Sequence, residues 1–323
     1  MRVLLTGSSG WLGRHVAPLL RERGDAVVGL DVSPGPDTTV VGSIAHRDVV
    51  RSTITDHGID AVIHAAALHK PDIAHHPASR FVDVNVAGTL HLLEAAADAG
   101  HDRFVFTSTT SLMISAAIRA EADPTTAVWL DRDFGPLQPR NIYGVTKLAA
   151  ENLCRLMHEE RALACAVLRT GRFFPEEDDQ AHRQATIGVN TKANELLYRR
   201  LTVDDAARAH LAALDRAPDV GFGVYVLAAP TPFQRADAAA LRRDAAAVIR
   251  ARFPDVDALY AARGWTLPKT IGRVYDARHA ETELGFRCRT DFAELLAALR
   301  ANAPLPFAHD PDWITGTAPG LFA

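Results

Sequence analysis

The stretch LLTGSSGWLG, residues 4–13, places Gly7, Gly10 and Gly13 between an apolar run and a helical one. Glycine accepts backbone conformations closed to other residues, so a tight strand-to-helix turn uses it for geometry alone. The same spacing also serves a dinucleotide. Gly7 lets the chain turn, Gly10 lets backbone N–H groups approach phosphate oxygens, and Gly13 lets the helix pack closely on the strand. Phosphate then sits at a helix N-terminus. Asp31 supports this second reading, since it ends the next apolar run 18 residues beyond Gly13, close to the acidic position such a site requires. Its carboxylate accepts from both hydroxyls of an adenosine ribose and repels a 2′-phosphate, so the expected cofactor is NAD rather than NADP. The plainer account of Asp31 is a solvated turn residue ahead of SPGP.

Short apolar runs recur along the chain at Val3–Leu5, Ala26–Asp31, Ala61–His64, Arg103–Thr107 and Cys165–Arg169. They lack two-residue alternation, which suits strands covered on both faces. Between them, Trp11–Arg23, Ala78–Ala99 and Tyr143–Arg161 are long enough for helices, with Gly24 and Gly100 as stops. The expected fold is α/β, a Rossmann-type doubly wound parallel sheet. After about residue 170 the rhythm changes. FFPEEDDQ reads as a charged loop, LTVDDAARAHLAALDRA as a helix, VGFGVYVLAA as a strand, Arg235–Arg252 as an alanine-rich helix, and the tail from Asn302 as irregular. We expect a cofactor-binding domain over 1–170, rejoined by about 201–228, and a smaller substrate-binding lobe from 171–200 and 229–323.

The balance of 35 basic against 39 acidic residues, net −4, gives no reason to expect nucleic acid or an anionic membrane as partner. A small molecule is the expected ligand. Cys154, Cys165 and Cys288 suggest neither a disulfide framework nor a zinc site. His64, His69, His75 and His76 lack convincing ligand spacing, so no metal is assigned. Met1–Gly7 is too short in apolar residues for a signal segment, and the expectation is a cytoplasmic chain with no membrane association.

NIYGVTK sets Tyr143 and Lys147 four apart, on one helix face, after the strand RFVFTSTTS that ends in hydroxyls. Open α/β sheets bind ligands beyond such strand ends. A phenol that shuttles a proton at neutral pH must drop about 3 units from a reference near 10, which takes roughly 4 kcal/mol. Lys147 and the positive nicotinamide ring of an oxidised cofactor are the expected sources, and Thr109 is placed to hold the substrate oxygen. An ordinary amphipathic helix is the plainer account of the pair.

Together TGSSGWLG, Asp31, HAAALHKP, NVAGT, FTSTTS, NIYGVTK, LTVDDAARAH and YDARHAETELGF resemble the short-chain dehydrogenase/reductase superfamily, specifically its extended NAD-dependent epimerase/dehydratase group. The resemblance implies that Tyr143 is the acid/base and that Lys147 lowers its pKa while binding the nicotinamide ribose. Thr109 stands at the catalytic Ser/Thr position, with Ser108 beside it as the alternative. Asn85 and Thr107 are implied to line the cofactor, Ala65 and Ala66 its adenosine side, and Ser9, Trp11 and Leu12 to give backbone contacts. A homodimer through the helices near Ala87–Ala99 and Tyr143–Arg161, with Leu153, Leu156 and Met157 among the apolar positions, is also implied.

The implied substrate is a sugar or nucleotide-sugar, oxidised or epimerised at a hydroxyl carbon. Ser108, Thr109 and Thr110 are expected at the substrate, with Arg172, Arg199 and Arg200 as a clamp for an anionic group. Several departures bear on this. Arg172 lies near where relatives acting on nucleotide sugars carry Asn, Ser43 replaces an acidic residue beside adenine, and Thr110 and Ser111 stand where dehydratases carry an acidic pair. Oxidation or epimerisation is therefore expected ahead of dehydration. The alternatives are an NAD(P)H-dependent reductase of a small ketone or aldehyde, and a non-catalytic NAD-binding regulator.

Overall fold

A computed structural model describes residues 1–174 and 188–307. The charged-loop reading beyond Phe174 and the tail beyond Phe307 lie outside the described residues. Among the described residues nine strands follow in chain order: β1 Arg2–Thr6, β2 Ala26–Asp31, β3 Val40–Val41, β4 Ala61–His64, β5 Phe104–Thr109, β6 Val128–Leu130, β7 Cys165–Thr170, β8 Phe222–Leu227 and β9 Arg273–Tyr275. Seven form a parallel sheet in the order β3-β2-β1-β4-β5-β7-β8. Strands β4, β5 and β7 are buried along their whole length, so their apolar runs are continuous because both faces are covered.

The helices are α1 Gly13–Glu22, α2 Arg47–Asp56, α3 Ala78–Phe81, α4 Gly88–Asp98, α5 Ala116–Ala120, α6 Ile142–Arg161, α7 Gly188–Glu195, α8 Val203–Val220, α9 Ala238–Arg252, α10 Val256–Ala261, α11 Arg278–Leu284 and α12 Phe292–Arg300. Helices α1 and α8 cover one sheet face through Val16, Leu20, Ala213 and Leu214. Helices α2, α4 and α6 cover the other through Ile54, Leu92 and Cys154. Gly24 and Gly100, at φ +88° and +74°, reverse the chain after α1 and α4.

Strand order reverses between β1 and β4, because the chain first grows outward through β2 and β3 and then resumes on the other side. Such a reversal opens a crevice at the C-terminal strand edge. A π-helical turn, Val82–Ala87, joins α3 to α4 and carries the buried Asn85. On the far side of the crevice β6 and β9 make a separate two-stranded parallel sheet. Trp129, Leu241, Ile249, Tyr260 and Leu296 build a third apolar cluster there. Strand β6 thus pairs with this smaller assembly, although it falls within the first 170 residues. Among the described residues, no helix is long and apolar enough to cross a membrane.

Candidate active site

The glycine loop lies between β1 and α1, where Gly7 N–H donates to Leu30 O at 2.9 Å. Gly7 has φ +73°, and a Cβ there would sit 2.8 Å from Ala66 N. A Cβ on Gly13 would fall 2.2 Å from Gly7 O and 2.8 Å from Ser8 Cα, so helix and loop touch backbone to backbone. At Gly10 the same atom meets only Gly7 O, at 3.2 Å, which leaves the outer side of the turn open. Leu12, at the start of α1, provides no side-chain cap, and the first-turn amides of Arg14, His15 and Val16 bond to the backbone carbonyls of Gly10 and Leu12. This cradle fits a pyrophosphate: open above Gly10, stripped of side-chain bulk and aligned with a helix N-terminus.

Asp31 closes the cradle from β2, accepting from Ser9 N at 3.0 Å and Ser33 N at 2.9 Å. Burial pushes its carboxyl up, and these amides oppose the rise. Ser9 Oγ donates to Ser33 O, and Thr38 Oγ1 lies 2.7 Å from both the Ser8 and Ser9 hydroxyls. Trp11 is buried, with Nε1 3.3 Å from Phe173 O, so its side chain ties the loop to the segment after β7.

A directed chain of hydrogen bonds sets the neighbouring strand ends. Thr89 Oγ1 donates to Asn85 O, so it accepts from His64 Nε2–H at 3.0 Å; His64 Nδ1 then accepts from Thr6 Oγ1 at 2.7 Å, and Thr6 Oγ1 accepts from Ala66 N. The tautomer follows from this network. Burial holds His64 well below its usual pKa, which keeps it neutral. Asn85 clasps Leu68 from both sides, accepting from its N–H at 2.8 Å and donating to its carbonyl at 3.0 Å, and also donates to Thr146. Ala65 lines the cleft directly after β4.

Asn141 caps α6 by accepting from Gly144 N at 2.9 Å, which starts the helix beside the end of β5 and brings Tyr143 to Thr109. Thr109 stands beside the phenol, and its Oγ1 accepts from Ser111 N at 3.1 Å. Lys147 lies one turn along, its Nζ 4.1 Å from the centre of the Phe106 ring. Burial pushes Tyr143 up to about 12, against the pull of Thr109. Burial likewise pushes Lys147 down to about 7, although Cys154 and Glu151 act in the other direction. The expected lowering of the phenol by Lys147 is thus not supplied by the protein's own charges, because desolvation dominates at both groups.

The hydroxyls beside Thr109 face elsewhere. Ser108 Oγ donates to Glu151 Oε1 at 2.5 Å, Thr110 Oγ1 donates to Thr170 O at 3.1 Å, and Thr107 Oγ1 donates to His210 Nε2 at 2.8 Å. His210 in turn donates from Nδ1 to Ala206 O, and burial pushes its pKa down to about 4. All four hydroxyl residues line the cleft, but only that of Thr109 meets the phenol.

The cleft has a volume of about 620 Å³ and runs from Ala65 and Thr107 past Tyr143 and Lys147 to Arg172 and Tyr275. Arg172 and Arg199 line it; Arg200 does not. Arg200 is buried, donating to Glu195 Oε2 at 2.9 Å and to Phe174 O at 2.6 Å, so the expected three-arginine clamp loses that member. Neighbouring residues on the 199–201 segment point to opposite sides, and only one of the pair reaches the cleft. Sequence reasoning missed Thr38, the Glu151–Arg169 pair under Ser108, and His210 as the partner of Thr107. LTVDDAARAH contained His210, without a local signal for what it touches.

The model of the NAD dependent epimerase/dehydratase family matches residues 3–228. A 3-beta-hydroxysteroid dehydrogenase from Mycolicibacterium neoaurum is 31% identical over 195 residues, 57% of this chain and 50% of that protein. A UDP-glucose 4-epimerase from Azospirillum brasilense is 30% identical over 212 residues, 62% of this chain and 58% of that protein. The chain spans about half the length of the curated relatives it matches. Among solved structures, a short-chain dehydrogenase/reductase superfamily protein from Agrobacterium tumefaciens with bound NAD aligns with a TM-score of 0.63 and 25% identity, covering 94% of this chain and 98% of that one. UDP-N-acetylglucosamine 4-epimerase from Bacillus cereus aligns with the same TM-score and coverage at 20% identity, a likeness of fold. Fold and site define an extended short-chain dehydrogenase/reductase. The chain belongs to the NAD dependent epimerase/dehydratase family, whose members are NAD-dependent enzymes.

Proposed function

We propose that this enzyme oxidises a hydroxyl carbon of a sugar or nucleotide-sugar, either releasing the keto product or returning it as the epimer. The observation that carries the reading is the meeting of Thr109, at the C-terminal end of β5, with Tyr143 and, one turn along α6, Lys147 in one cleft. Tyr143 exchanges the proton of the substrate hydroxyl, and Thr109 holds the same oxygen and shares its developing charge. The glycine loop and Asp31 hold NAD, with Ala65, Ala66, Asn85 and Thr107 along its course. When bound, NAD supplies the two-electron acceptor at the substrate carbon and a positive charge beside the phenol. Asn85 fixes Leu68 and the cleft wall, and His210 fixes the Thr107 rotamer.

The names of the relatives support a hydroxyl-bearing ring as substrate, and the basic lining of the cleft supports an anionic one. Incubating the enzyme with NAD and a panel of sugars, sugar acids, sugar phosphates and nucleotide-sugars tests the reading. Net absorbance of reduced nicotinamide marks a dehydrogenase, and isomer formation without it marks an epimerase. Absence of both signals across the panel contradicts the proposal.

A homodimer through α4 and α6 is also our reading, supported by Val145 and Leu156, which leave α6 with exposed apolar side chains. Leu153 and Met157 face inward onto the core. Analytical ultracentrifugation showing only monomer at micromolar concentration contradicts it.

A further inference from the structure

Besides Lys147, six cationic side chains line the cleft, Lys70, Arg119, Arg140, Arg172, Arg199 and Arg273, against one acidic residue, Asp72. Arg273 differs from the rest. It is 8% exposed, and its Nε is buried with no hydrogen-bond partner. Arg199 also buries its Nε without a hydrogen-bond partner, but its Nη2 donates to Glu195. Among the described residues Arg273 forms no ion pair, and its electrostatic neighbour is the Tyr198 phenol. Glu121, packed beside Gly272, is tied instead to Arg242.

A guanidinium cannot shed its proton in a protein, so its charge is permanent. Burying such a charge without a partner is costly, and chains tolerate it where a ligand completes the pair. Strand β9 fixes the position of Arg273 by pairing it with Val128, on the wall formed by the small sheet. Tyr143 and Lys147 line the same cleft from α6, under the large sheet's edge.

We propose that Arg273 is a specificity-determining residue that anchors an anionic group of the substrate, a carboxylate or a phosphate, through paired N–H···O bonds. The planar fork suits either group. This inference rests on the reading of the cleft as the substrate site. It deepens that reading by requiring an anion within reach of β9.

The test is calorimetric titration of the NAD-loaded protein with glucuronate, glucose 6-phosphate and UDP-glucose, and with neutral glucose as control. Wild type is expected to bind at least one anionic probe more tightly than glucose, and which one binds identifies a carboxylate, a phosphomonoester or a diphosphate. Arg273→Gln is expected to weaken that binding by about 10- to 100-fold and leave glucose unchanged. Arg273→Lys, which keeps the charge and loses the fork, is expected to fall between the two. Thermal melting of the protein without sugar gives a readout that a structural arginine would move the other way. Removing an uncompensated buried charge leaves the melting temperature of Arg273→Gln unchanged or higher.

Equal affinity of wild type and Arg273→Gln for every anionic probe overturns the proposal, as does the absence of any anion preference in wild type. A marked loss of melting temperature with unchanged anion binding also overturns it. Tyr143→Phe, run alongside, is expected to keep anion binding while losing turnover. Failure of the redox reading therefore shows in turnover, and failure of the anion reading in affinity.

Discussion

Ser108 Oγ donates to Glu151 Oε1 across 2.5 Å, and the hydroxyl one residue further on belongs to the phenol of Tyr143 instead. Adjacent residues at the end of one strand thus serve different ends. Ser108→Ala is expected to lower stability by about 1.5–3 kcal/mol, the usual cost of a bond to a charged group, with turnover changed only a few-fold. Thr109→Ala is expected to leave stability nearly intact and to lower kcat by about 100- to 1000-fold, the range for losing an oxyanion donor. Thr109→Ser recovers most of the rate. Urea denaturation and initial rates on the same preparations separate the two effects.

Beneath Ser108, Glu151 and Arg169 form a buried pair, with Arg169 Nη2 2.7 Å from Glu151 Oε2. Glu151→Gln leaves the guanidinium buried without its counter-charge, and a loss of about 3–5 kcal/mol is expected in urea unfolding. Replacing both together, Glu151→Leu with Arg169→Met, is expected to restore a good part of it. The pair joins α6 to β7, and a neutral single change contradicts that role.

Gly13→Ala is expected to abolish NAD binding and to destabilise the fold. The added Cβ would meet backbone atoms of Gly7 and Ser8, which have no rotamer by which to yield. Gly24→Ala makes a control, because a Cβ there meets nothing within 4 Å and only its φ of +88° opposes the change. Calorimetry with NAD and thermal melting of both variants check the contrast.

How much of this was legible in the sequence depends on the range of the contact. The glycine loop, Asp31, and Tyr143 with Lys147 read directly, because turn geometry and helical periodicity act over a few residues. The sheet was legible too, since strands buried on both faces carry unbroken apolar runs. Thr107 and His210 are 103 residues apart, Trp129 and Asp276 147 apart, and such pairs have no local signature. Arg200 was misread for the same reason: its side of the segment is set by the bridge between Arg172 and Arg200 and by the buried Glu195. Desolvation, which raises the phenol to about 12 in the protein without cofactor, is likewise invisible in a sequence.

Acid should unfold this protein early. Burial pushes His69 and His210 down to about 4 and His64 well below its usual value. In the unfolded chain each titrates near 6.5, so below that pH the unfolded state binds protons that the folded state does not. Stability therefore falls as pH drops through about 6.5 and levels off only near 4. For His210 alone the loss is about 3 kcal/mol across that window. The urea midpoint measured from pH 7 to 4.5 should fall with a slope of two to three protons, and His210→Gln should flatten it by about one. A midpoint independent of pH contradicts neutral buried histidines.

Central to the account is a phenol at position 143 that becomes a proton acceptor only when a dinucleotide occupies the glycine cradle. The most direct measurement compares wild type with Tyr143→Phe, first by calorimetric titration with NAD and then by turnover of the best substrate in the panel. The account predicts that both proteins bind NAD with similar affinity and that kcat falls by about 1000-fold or more in the variant. Undiminished turnover in Tyr143→Phe, or no heat on adding NAD to wild type, contradicts it.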